Sequence, residues 1–161
     1  MRLVKRGLPL RWLVLGGLLP DLIDKPLYYS LVFATGKRGT ELGLISGTRT
    51  FGHTGLFLLL FVGLWAWRRS PSLAAIAWGI ASHLLLDNIG DLFGERNGPT
   101  AFDALMFPLL GAHFPISFFK SIKEHLLSVR NLYVGGGEVA GALLLLWSWL
   151  QSRRRLHEQP R

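Results

Sequence analysis

The sequence contains no cysteine among its 161 residues. This absence excludes a disulfide scaffold, a thiolate metal site, an iron–sulfur cluster and a cysteine nucleophile. Charge is also scarce, because 17% of the residues are charged, whereas soluble domains carry about 25%. Half of the residues are hydrophobic and 12% are aromatic, which is the reverse of a disordered composition. The composition therefore predicts a single membrane-embedded domain over residues 1–161.

The basic residues indicate how the chain is oriented in the membrane. A formal charge of +8 would suggest nucleic acid in a soluble protein, but here the basic residues lie beside apolar runs, so no nucleic-acid partner is predicted. The amino-terminal tail up to Arg11 carries four of them, the turn at 68–70 carries two, and the tail from Arg153 carries four. Short basic loops stay in the cytoplasm. Both termini are therefore predicted to be cytoplasmic, with membrane lipids as partners.

No uncharged apolar stretch reaches the roughly 20 residues of a standard transmembrane helix, so each span is inferred together with its flanks. The predicted spans are residues 8–20, 51–67, 71–87 and 131–152. Pro20 and Asp21 end the first span, and a tight turn at 68–71 joins the second to the third. Residues 104–119 contain three helix-breaking positions and are predicted to be re-entrant or interfacial. The predicted fold class is an all-α, polytopic membrane bundle of about four spans.

Five ionisable residues lie at the predicted non-cytoplasmic ends of the first three helices: Asp21, Asp24, His53, His83 and Asp87. His83 and Asp87 are four residues apart and share a helical face; Asp21 and Asp24 would do so if the helix continued past Pro20. Imidazole and carboxylate without thiolate are ligands for Zn, Mn, Fe or Mg, in sets typical of catalytic sites. A bound divalent metal ion, with Zn or Mn preferred, would activate water and polarise a phosphoryl or carbonyl oxygen. Hydrolysis is the simplest use of such a site.

Arg49 precedes His53 by four residues and adds a cation that can hold an anionic group of a substrate through two hydrogen bonds. Arg49 and Asp24 are therefore the predicted catalytic residues. A second interpretation is a non-catalytic membrane protein, in which the cluster binds a structural ion or stabilises the bundle and protein partners meet the outer loops. Arg49 would then pair with Asp21 or Asp24. Asp91, one turn beyond Asp87, is a further candidate for the acidic cluster.

Three segments carry a resemblance to a known family: Gly16–Asp24, Arg49–Thr54 and Ala81–Asp87, followed by Leu105–Leu109. Their order and spacing resemble the YdjM-like family of inner-membrane, metal-dependent hydrolases. In this chain Thr48 stands where that family has a further histidine, and its Pro-Asp-x-Asp element is one residue longer.

The resemblance implies a metal site made of Asp21, His53, His83 and Asp87. It also implies a location in the inner membrane. Together with the residue pattern, it predicts a membrane-bound hydrolase that acts on an ester or phosphoester, including one of a lipid, at the non-cytoplasmic face. No oligomeric state is predicted.

Overall fold

The computed structural model describes residues 8–92 and 98–116, and the single helical positions Leu143 and Trp147. Over these residues the chain forms helices and no β-strand, which confirms the all-α class. The helices are α1 (Leu10–Thr35), α2 (Gly55–Arg68), α3 (Pro71–Leu92) and α4 (Ala101–Leu105), with a 3₁₀ turn at Gly39–Leu42. Apart from the two single positions, the predicted span at 131–152 lies outside the described residues.

The first helix does not end at Pro20 as predicted. α1 continues to Thr35 with Pro20 and Pro26 inside it, and it ends where Gly36 adopts a left-handed conformation. A proline removes one backbone donor, which is why local sequence predicts an end. Tertiary packing overrides this preference. Pro20 is fully buried, and its backbone lies against Gly52. A Cβ atom on Gly52 would be 2.8 Å from the Pro20 carbonyl oxygen, which shows how close the contact is. The predicted span 8–20 is only the first part of a longer helix.

Two other predicted boundaries also shift. α2 begins at Gly55 rather than 51, because the Thr54 side chain accepts a hydrogen bond from the Phe57 N–H and caps the helix there. α3 continues to Leu92 rather than ending at 87. The turn between α2 and α3 is where the sequence predicts it, with Arg69 in a left-handed conformation between the two helices.

Glycines allow α1 and α3 to cross at backbone contact. A Cβ on Gly16 would overlap the backbone of Ile76, and a Cβ on Gly79 would overlap that of Leu13. Small residues permit such close approach between helices in membranes. Gly16 of α1 lies against Ile76 of α3, and further along both helices Asp21 lies near His83. The two helices therefore run in the same direction.

Among the described helices, α3 is long and apolar enough to cross a bilayer. α2 is also apolar but has 14 residues. The count of four spans therefore remains a prediction.

The core lies between α1, α2 and α3. It consists of Ile76, Ile80 and Leu84 with partly buried side chains packed around them: Trp12, Leu19, Phe57, Leu58, Phe61 and Leu105.

The segment predicted to be re-entrant or interfacial contains the short α4 followed by turns at residues 106–110. α4 is tied to the end of α3, because the Ala101 N–H donates to Asp91 Oδ2 at 2.7 Å. Within 101–116 the described backbone contains no helix long enough to span a bilayer.

Candidate metal centre

Three polar side chains converge where α1 and α3 meet the loop that precedes α2. Asp21 comes from α1, His53 from the loop and His83 from α3, and each offers a ligand atom within 4.8 Å of the other two. The Nε2 atom of His53 lies 3.2 Å from Nε2 of His83 and 3.7 Å from Oδ1 of Asp21. The structure thus brings together three residues that the sequence places at one level.

Asp87 adds a fourth candidate ligand atom to this group. Its Oδ2 lies 3.3 Å from His53 Nε2 and 3.7 Å from His83 Nε2. Ligand atoms of a tetrahedral site with bonds of about 2.1 Å are about 3.4 Å apart. The distances from His53 Nε2 to Asp21 Oδ1, His83 Nε2 and Asp87 Oδ2 are close to this spacing, as is the distance from His83 Nε2 to Asp87 Oδ2.

The oxygen that Asp87 points into the cluster is buried and has no hydrogen-bond partner. A buried acceptor left in this state costs free energy. His53 cannot relieve it in its neutral form, because its proton lies on Nδ1, which is 2.7 Å from Asp24 Oδ2, and Nε2 then carries a lone pair. Lone pairs facing one another are stabilised by a cation between them. The donor set therefore fits a metal ion.

Asp24 lies behind His53 rather than among the ligand atoms. It is fully buried, and its carboxylate accepts the Thr50 N–H at 2.7 Å, the Gly52 N–H at 3.0 Å and the His53 Nδ1–H at 2.7 Å. A carboxylate that holds the far nitrogen of a ligating histidine fixes the tautomer and orientation of the ring. Asp24, predicted to be catalytic, has the geometry to fix His53 in this way.

Each carboxylate of the cluster has a cation on its outer oxygen. Lys25 Nζ lies 2.7 Å from Asp21 Oδ2, and Arg49 Nη2 lies 2.9 Å from Asp87 Oδ1. The inner oxygens, Oδ1 of Asp21 and Oδ2 of Asp87, remain directed at His53. Lys25 was not among the predicted site residues, although its position four residues after Asp21 on one helix is a signal for such a pair.

Arg49 contacts different partners from those expected. Its Nη1 donates to Asp91 Oδ1 at 2.9 Å while Nη2 donates to Asp87. These partners differ from Asp21 and Asp24, which the non-catalytic interpretation pairs with Arg49. The reason is that the loop before α2 lies against the end of α3, which continues one turn past Asp87. Asp91 is linked to Asp87 of the cluster through Arg49.

The charges of this assembly do not balance. It contains four carboxylates and two cations, and two histidines that are neutral as metal ligands: Asp21, Asp24, Asp87, Asp91, Lys25, Arg49, His53 and His83. Within this set the carboxylates outnumber the lysine and arginine cations by two. A divalent cation held by the histidines would offset this difference.

A comparison with protein families agrees with the motifs. The family described as YdjM inner membrane protein matches residues 2–155. The chain belongs to this family. Neither a curated protein nor a solved structure was found to match. The resemblance seen in the motifs of this YdjM protein is thereby confirmed over nearly its whole length.

Membership of the YdjM family agrees with the scarcity of charge and with the apolar α3. It also means that the cluster of Asp21, His53 and His83 lies in an inner-membrane protein. Ionisable groups in membrane proteins generally face the bundle interior, and His53 is buried here.

Proposed function

We propose that this YdjM protein is a membrane-bound, metal-dependent hydrolase of an ester or phosphoester. The observation that carries the proposal is the buried, unpartnered Oδ2 of Asp87 facing the Nε2 atoms of two histidines. Asp21, His53, His83 and Asp87 would hold the ion. Two imidazoles and two carboxylates suit Zn or Mn, and when bound the ion supplies an activated water and a Lewis acid.

The protein's own residues hold this site and leave one side open. His53 is 2% exposed and is locked by Asp24, so it lies at the back. Asp21 is 29% exposed and lies at the accessible side. Substrate would therefore approach past Asp21. Arg49 would act as a positioning residue, since it holds Asp87 so that one oxygen stays directed into the cluster.

Lipid is the substrate class that the surroundings favour. Leu22 and Ile23 lie between Asp21 and Asp24 on α1 and are 56% and 37% exposed, so an apolar surface adjoins the polar cluster. An apolar groove of about 250 Å³ lies between α2 and α3 and is lined by alanine, leucine, valine and tryptophan side chains. Such surfaces suit contact with membrane lipids, which we propose as partners.

The test is hydrolysis by the full-length protein in detergent, stripped of metal and reloaded with Zn or Mn. We expect metal-dependent turnover of at least one member of a panel of phosphomonoesters, phosphodiesters and carboxyl esters. His83→Ala should reduce turnover to background, because it removes a ligand. His113→Ala is the matched control, since the His113 side chain is exposed in the segment after α4, and it should retain wild-type turnover.

A non-catalytic protein is the second candidate. One observation favours it: a second proton on His53, donated from Nε2 to Asp87 Oδ2 at 3.3 Å, would also relieve the unpartnered oxygen and stabilise the bundle without chemistry. In that case the reloaded wild type would hydrolyse no member of the panel above the His83→Ala level. Its melting temperature would fall in His83→Ala all the same.

We further propose that the termini are cytoplasmic and that the cluster faces the other side of the membrane. The parallel course of α1 and α3 puts Arg11 and the turn at 68–70 at one end and the cluster at the opposite end. A cysteine introduced at Ser70 should resist an impermeant thiol reagent in intact cells, and one at Thr40 in the loop after α1 should react. The chain has no other cysteine to interfere. Reaction at Ser70 and protection at Thr40 would reverse the orientation.

A further inference from the structure

Two cations contact the carboxylates of the cluster, Arg49 and Lys25, and they differ in exposure. Both Nη atoms of Arg49 donate to carboxylates, and its side chain is 22% exposed. These two bonds hold the guanidinium between Asp87 and Asp91. Lys25 contacts the same cluster and is 39% exposed. Among the cations that the structure places on the cluster, Lys25 is the accessible one.

Lys25 also lies at the correct place for this role. Its Nζ is 2.7 Å from Asp21 Oδ2, and Oδ1 of the same carboxylate faces His53 Nε2 at 3.7 Å. A single carboxylate therefore separates the ammonium group from the ligand atoms. An ammonium group has three donors. The bond to Asp21 uses one of them, and two remain for another acceptor.

The charge of the site favours an anion once the ion is bound. A divalent ion would offset two of the negative charges of the cluster, so an arriving anion would meet less repulsion. The ammonium group at the accessible edge then gives a local attraction that a neutral carboxyl ester could not use. Hydrogen bonds between an ammonium group and an anionic oxygen are among the stronger polar contacts.

We propose that Lys25 binds an anionic phosphoryl oxygen, so that the site accepts a phosphoester in preference to a neutral carboxyl ester. This inference rests on the proposed function for its substrate, but the binding of an anion can be measured without turnover. It assigns to Lys25 the contact that sequence spacing suggested for Arg49.

The first experiment titrates inorganic phosphate into the metal-loaded, full-length protein in detergent and follows the heat of binding. Lys25→Gln should raise the dissociation constant about tenfold, as expected for the loss of one charge-assisted hydrogen bond. Lys25→Arg should stay within about threefold of wild type, since it keeps the charge. Lys37→Gln is the matched control: it removes the same charge from an exposed position beyond the end of α1 and should have no effect.

The second experiment compares substrates. Lys25→Gln should raise KM for the phosphoester about tenfold, leave KM for a neutral carboxyl ester unchanged, and retain stoichiometric metal. Equal losses on both substrates, or loss of metal, would mean that Lys25 only supports Asp21, and would overturn the inference. So would a wild type that binds no phosphate, or phosphate binding equal in Lys25→Gln and Lys37→Gln.

The two proposals can fail separately. If wild type hydrolyses nothing while Lys25→Gln still weakens phosphate binding about tenfold, the hydrolase proposal fails and the anion site stands. If wild type hydrolyses esters and Lys25→Gln changes neither phosphate binding nor KM, the hydrolase proposal stands and Lys25 has no part in substrate binding.

Discussion

Replacing His53 or His83 by alanine is expected to abolish stoichiometric metal binding. Each imidazole supplies one of four converging atoms, and His53 Nε2 lies within 3.7 Å of Asp21 Oδ1, His83 Nε2 and Asp87 Oδ2. Without either ring, the coordination sphere of the ion is incomplete, and the negative charge of the carboxylates is not offset by a bound ion. Elemental analysis of purified protein after gel filtration should give about one ion per wild-type chain, by the stoichiometry of a tetrahedral site, and background levels for both variants.

The control for this prediction is His113→Ala, which removes an exposed imidazole and should leave metal content at the wild-type level. A second readout is thermal. Added metal at one hundred times its dissociation constant should stabilise wild type by about 2.7 kcal/mol and raise its melting temperature, and should leave His53→Ala and His83→Ala unmoved. Wild-type occupancy in both histidine variants would eliminate the site.

Asp24→Asn is expected to destabilise the protein and also to weaken metal binding. The buried carboxylate accepts three donors, from Thr50 N, Gly52 N and His53 Nδ1. An asparagine side chain has one acceptor oxygen, and its amide would direct N–H groups at donors. Each unsatisfied buried group costs about 1–3 kcal/mol, so we expect a loss of about 3 kcal/mol in the free energy of unfolding. Release of the His53 ring should lower metal affinity about 10–100-fold.

The same substitution at Asp103 provides the matched control. Asp103 Oδ2 accepts the Thr100 N–H at 2.7 Å and the Thr100 hydroxyl at 2.9 Å, in a partly exposed cap of α4. Asp103→Asn should cost about 1 kcal/mol and leave metal affinity unchanged. Denaturant unfolding and metal titration of both variants separate the two effects. Metal affinity equal to wild type in Asp24→Asn would show that Asp24 does not position His53.

Local features of the sequence indicated the class of protein and the residues of the candidate cluster. Scarce charge indicated a membrane protein, and the ends of the apolar runs indicated the depth of Asp21, His53, His83 and Asp87. The four-residue spacing of His83 and Asp87 on one helix needs no knowledge of the rest of the chain. His83 and Asp87 are close in sequence, so helix geometry alone sets the distance between them.

The tertiary structure decided the roles around that cluster. Asp24 reaches His53 across 29 positions of sequence, and Arg49 reaches Asp91 across 42, so neither contact follows from any local spacing. The loop before α2 has no periodicity from which its course could be read, and its packing determines both contacts. The same loop places Gly52 against Pro20, so that α1 continues where backbone propensity predicts an end. A pattern can place a side chain on a helix, but its partner on another segment depends on how the whole chain packs.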